Sequence, residues 1–144
     1  MVAFVSTLRG RLQRDRSGSA ASEFALVLPL LTLLLFGVLE FGTVVYAFSA
    51  MQFGATNAAR SLAVNTATEA AALASARAVL PGWVANDVSM QMAQTNAGDP
   101  NSNIIRVTLS VNASRASVVP MLTRLVDLPL TAEATIKQEL PYVD

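Results

Sequence analysis

Neither cysteine nor histidine occurs in the 144 residues. A disulfide framework, a thiol nucleophile and a Cys/His metal site are therefore excluded, and so is a Ser-His-Asp triad. Charge is also scarce, at 14% of residues, where soluble domains carry about 25%. The acids that are present are dispersed, and no two have the spacing of a catalytic pair. The glycines do not form a phosphate-binding loop. The run Asn96-Ala97-Gly98-Asp99-Pro100-Asn101 offers loop oxygens but lacks the spacing of a calcium loop, and it reads as a turn. This inventory predicts no catalytic residue, metal, cofactor or small-molecule substrate, and hence no enzyme.

The shortage of charge is local. Between residues 24 and 59 the only charged residue is Glu40. Residues 24–39, FALVLPLLTLLLFGVL, are sixteen uncharged positions, and small residues before and apolar ones after extend the run past twenty. About 20 helical residues, rising roughly 1.5 Å each, cross a bilayer core. A soluble core helix would show a recurring polar face, but here only the hydroxyl of Thr32 interrupts the run before Glu40. Pro29 removes one backbone donor and predicts a kink or local loosening, which membrane helices tolerate. Gly37 and Gly42 are five apart, so they do not make a GxxxG packing face.

Net charge is zero but uneven. Arg9, Arg11, Arg14 and Arg16 face only Asp15 in the first 18 residues, whereas six basic and nine acidic residues follow. A basic head before an apolar run keeps the head cytoplasmic, so the remainder is expected in the periplasm. Without a basic patch or aromatic platform beyond the head, nucleic acid is not an expected partner.

At the junction a basic leader ends in Gly18, followed by Ser19, Ala20, Ala21 and Ser22, then Glu23, Phe24 and the apolar run. This resembles a prepilin-peptidase site. The resemblance implies cutting after Gly18, with Ser19 as the new amine terminus and Glu23 as the fifth mature residue. Glycine suits such a cut because no side chain obstructs the approach to the backbone. Ordinary signal peptidase cuts on the far side of the apolar run and discards it. The amine freed on Ser19, of pKa about 8, is implied to pair with Glu23 of a neighbouring subunit.

Residues 23–60 are similar to the TadE-like minor pseudopilins of the tight-adherence (Tad/Flp) pilus. The landmarks are Glu23-Phe24-Ala25-Leu26, Leu28-Pro29-Leu30, the run from Phe36 through Gly37, Glu40 and Phe41 to Gly42, and Ala58-Ala59-Arg60. The resemblance implies an inner-membrane, pilin-like protein that acts in pilus assembly, adhesion and biofilm formation as a minor structural or initiation component. The implied partners are prepilin peptidase, other pilin-like subunits and the inner-membrane pilus platform. Glu40 lies about 25 Å along a helix from Glu23, where it is read either as a solvated carboxylate at the outer interface or as a subunit contact.

Two other readings stay open. In one, the chain is a secreted binding module, cut after Ser49 in the Ala47-Phe48-Ser49 pattern. In the other, it is an uncut anchor of a different envelope complex.

Beyond the membrane run the helix is expected to continue toward Val64, with Tyr46 and Phe48 marking the interfacial belt. Asn65 offers a break. Thr66 through Glu69 fits a capping box opening a second helix over residues 67–80, which Pro81-Gly82 stops. After Gly82 the period becomes two. Val88, Met90 and Met92 form one apolar row, Ile105, Val107, Leu109 and Val111 a second, and Ala132, Ala134 and Ile136 a third. A loop over residues 94–103 joins the first two. Residues 114–130 are unusually apolar for a connection. They are read either as a cover over the sheet or core, with a short helix between Pro120 and Pro129, or as a contact surface.

The expected fold class is α+β and pilin-like: a basic leader (1–18), a transmembrane helix (19–45), an alanine-rich helical region (46–80) and a small periplasmic domain (81–144) with a roughly three-stranded antiparallel sheet.

Overall fold

The computed structural model describes residues 17–97, 99 and 101–139. The leader arginines, Gly98, Pro100 and the last five residues lie outside that range. The chain divides into two compact units, Met1–Phe36 and Gly37–Asp144. One helix, α1 (Ser17–Ala63), supplies residues to both.

In the first unit α1 is apolar on every face from Phe24 onward, and residues 18–35 are exposed without exception. Leucine, valine and phenylalanine side chains on every face of an unburied helix fit lipid rather than water. The helix is long and apolar enough to cross a membrane, and its most apolar stretch is almost wholly uncovered by the rest of the chain. It runs unbroken through Pro29, where only one helical donor is lost.

In the second unit α1 is one wall of a globular core. Ala47, Met51, Ala55, Ala58, Ala59 and Leu62 recur at helical spacing and are buried. The helix ends where expected, and the mechanism is visible. Asn65 adopts φ 54°, a left-handed conformation that asparagine tolerates. Its N–H donates to Leu62 O (3.1 Å) and that of Thr66 to Ser61 O (3.0 Å), the pair of bonds that closes a Schellman cap.

The second helix, α2 (Glu69–Ala78), is shorter than the 67–80 expected. Its N-cap is Thr68 rather than Thr66. Thr68 Oγ1 accepts from Ala71 N–H at 3.3 Å, whereas the Thr66 hydroxyl donates to Ser61 O. Thr66 serves the end of α1 and is not free to start α2. The two helices pack closely at Gly54, where a Cβ would lie 3.2 Å from Ala76 O.

The sheet is an antiparallel meander of β1 (Ser89–Gln94), β2 (Ile104–Asn112) and β3 (Pro129–Lys137), in the order β1-β2-β3. Met90 pairs with Leu109 and Met92 with Val107. On the other side of β2, Leu109 pairs with Ala132 and Val107 with Ala134. The three apolar rows thus share one face, which packs into the same core as α1 and α2. The opposite face is polar, with an exposed Arg106–Glu133 pair at 3.3 Å.

Two aromatic expectations divide. Tyr46 is exposed and lies 6.1 Å from Trp83, centroid to centroid. Phe48 is half-buried against the core, so it is not an interfacial anchor.

Candidate functional site

The junction residues occupy the start of α1. Gly18, Ser19, Glu23 and Phe24 are all helical and exposed, and nothing among the described residues packs within 4 Å of where a Cβ on Gly18 would stand. Ser19 Oγ donates to Glu23 Oε1 at 3.1 Å. The bond spans one helical turn, so both residues lie on one face. Phe24 begins the apolar surface.

Glu40 is placed elsewhere and treated differently. It is 2% exposed, which overturns its reading as a solvated interfacial carboxylate. Leu122 N–H donates to Oε2 at 2.7 Å. Thr123 N–H donates to Oε1 at 2.7 Å and Thr123 Oγ1 to the same oxygen at 2.6 Å. Burial of a carboxylate is tolerable when charge-assisted donors replace water. Here they come from the connection between β2 and β3, far along the same chain.

That connection opens with a four-residue helix, α3 (Ala113–Ala116), and continues as bends and one turn. The expected short helix between Pro120 and Pro129 is reduced to that turn, in which Leu125 and Val126 N–H both donate to Leu122 O. The Glu40 carboxylate caps the turn's first amides. A second carboxylate pins the other end. Asp127 accepts from Ser114 N–H at 3.0 Å and from Asn112 Nδ2 at 3.1 Å. These bonds, foremost the one from Ser114 N–H, hold its pKa below the ordinary aspartate value.

Fastened in this way, the connection does not cover the core. Ala116 and Ser117 are buried, but Val118, Val119, Met121, Leu122, Leu125, Val126 and Leu128 are exposed. Beside it lies a groove of about 440 Å³ lined by Trp83, Asp87, Arg115, Val118, Pro120 and Arg124, among others. The Trp83 indole N–H donates to Ala116 O at 3.1 Å and braces this region.

The 94–103 loop is a turn whose polar atoms are used internally. Asp99 Oδ1 accepts from Asn101 N–H (3.0 Å) and Oδ2 from Ser102 Oγ (2.8 Å). Buried Asn103 bridges Gln94 and Gln138.

Sequence reasoning singled out Glu40 without its partners, and it missed Asp127 and Gly54. Glu40 carried one usable signal, an ionisable residue inside an apolar run, but nothing local names its donors 82 and 83 positions away.

No curated protein and no solved structure matches the chain. Residues 18–60 match the family model described as TadE-like protein, a span that begins at Gly18 and ends inside the last turns of α1, so this N-terminal helix is TadE-like.

Proposed function

We propose that the chain is a pilin-like precursor of a Tad pilus system: it is inserted with its leader in the cytoplasm, cut after Gly18 by prepilin peptidase, and retained by α1 as a minor structural or initiation component of the assembly. The observation that carries this reading is the TadE-like match on a helix that is apolar in sequence from Phe24 onward and whose residues 18–35 are all exposed. Such a surface needs lipid or other apolar helices around it. Pilin-like packing supplies lipid before assembly and neighbouring helices afterwards.

Further support lies in the placement of the junction residues. Ser19 and Glu23 share one exposed face, so an amine on Ser19 and the carboxylate of Glu23 are both available to a neighbouring subunit. Glu40, by contrast, is engaged within its own chain, so a subunit-contact role for it would act through the connection it holds.

Packing weighs against secretion by cutting after Ser49. Ala47, fully buried, belongs to the core, and the partly buried Val44 and Phe48 pack against it. A cut there would also remove Glu40 and leave Leu122 and Thr123 N–H without their acceptor.

The experiment is Gly18→Leu in the native host, with precursor and mature forms resolved by gel and intact mass. Blocked shortening is the expected result. Shortening by the wild-type amount would remove the prepilin-peptidase reading.

A further inference from the structure

The exposed apolar side chains of the folded unit are not evenly spread. On the sheet and α2 they are single and scattered, whereas residues 118–128 carry a dense group. This group is continuous with exposed apolar surface on α1. Val38, Leu39 and Phe41 are exposed there, on either side of the Glu40 that holds Leu122 and Thr123. A Cβ on Gly37 would meet Leu122 Cδ1 at 3.6 Å. The connection is therefore fastened to α1 at Glu40, the residue that ends the uncharged run of residues 24–39.

We propose that residues 118–128 form a second membrane contact, a loop seated in the interfacial layer of the bilayer beside the point where α1 leaves it. The occupant of the patch is a lipid surface. Three observations favour it. First, the patch adjoins the exposed apolar residues of α1 that flank Glu40, namely Val38, Leu39 and Phe41. Water-soluble surfaces rarely present such a contiguous group.

Second, the loop's backbone is largely satisfied from within, as an apolar surrounding demands. Leu122 and Thr123 N–H are bound to Glu40, Leu125 and Val126 N–H to Leu122 O, and Leu128 N–H to Val126 O. Third, the adjoining groove places Arg115 and Arg124 beside Trp83. Long cationic side chains can extend to phosphate while an indole sits at headgroup level. The buried Glu40 thus holds the loop from inside and the exposed Asp127 pins its far end, leaving the apolar side chains outward. The inference rests on α1 being a membrane span and is independent of the pilus role.

The absence of cysteine makes the test direct. Single variants Leu125→Cys, Leu30→Cys and Asn101→Cys of the full chain are labelled with an environment-sensitive fluorophore. They are reconstituted in phosphatidylethanolamine–phosphatidylglycerol vesicles containing nitroxide-labelled lipid. The probe at 125 should be quenched by the lipid nitroxide several-fold more than the probe at 101, and shielded from aqueous iodide. Adding Glu40→Ala to Leu125→Cys should weaken the lipid quenching, and unchanged quenching would refute the clamp. A probe at 125 open to iodide like that at 101 overturns the proposal. One reached by neither quencher also overturns it and points to a protein face. Failure of the probe at 30 to meet lipid would instead sink the membrane-span reading.

Discussion

Within α1, residues 24–39 and residues 47–63 belong to one continuous helix, yet they meet different surroundings. In the first stretch apolar side chains face every direction, and nearly all are exposed. In the second, small residues form one buried face, and Gln52, Thr56 and Asn57 lie outside it. The first is written for lipid and the second for a protein core. The two glutamates, each followed by phenylalanine, sharpen the contrast. Glu23 is exposed and bonded to a serine one turn away. Glu40 is buried and held by two backbone amides and a hydroxyl. The same Glu-Phe pair acquires a different role from its neighbours and from what the distant chain brings to it.

The largest effect on that contrast should come from Glu40→Ala. It leaves two amides at Leu122 and Thr123 without an acceptor, and the folded unit should lose about 3 kcal/mol, measured by thermal unfolding in detergent. Leu30→Ala, in the lipid-facing half, should leave that transition in place. Equal effects would break the comparison. Gly54→Val should come next, at about 2 kcal/mol, because an added Cβ would stand 3.2 Å from Ala76 O and 3.4 Å from Val79 Cγ2. Gly42→Val, where a Cβ would meet nothing within 4 Å among the described residues, serves as its control.

A smaller change separates the two threonines. Thr68→Ala should cost about 1 kcal/mol as a lost N-cap, and Thr66→Ala should cost less. The reverse order would restore the cap to Thr66. The mildest effect concerns pH. The native pKa of Asp127 is depressed, so its contribution is complete above the ordinary aspartate value of about 4 and is lost as pH falls through the lower native value. Amide exchange at Ser114 should accelerate over that acidic range in wild type. In Asp127→Asn it should be independent of pH after correction for intrinsic exchange.

Much of this was legible in the sequence because it depends on local order. An uninterrupted apolar run specifies its own solvent, and alternation specifies which strand face turns inward. The rows at Ile105–Val111 and Ala132–Ile136 therefore came out on the faces expected. The helix stop at Asn65 was equally readable.

Two neighbouring threonines both fit a cap, however, and only the chain's path shows that Thr66 is already committed to Ser61. Phe48 reads as interfacial until the core closes over it. The partners of Glu40 lie in a connection that has no periodicity, so no spacing rule reaches them. The same irregularity hid the outward turn of Leu125 and Val126, whose composition fits a core cover equally well.

The central claim is that the apolar half of α1 remains with the folded half after processing. Intact mass and N-terminal sequencing of the protein extracted from native membranes test it most directly. The account predicts a chain beginning at Ser19 in the membrane fraction. A soluble product beginning at Ala50 would contradict it.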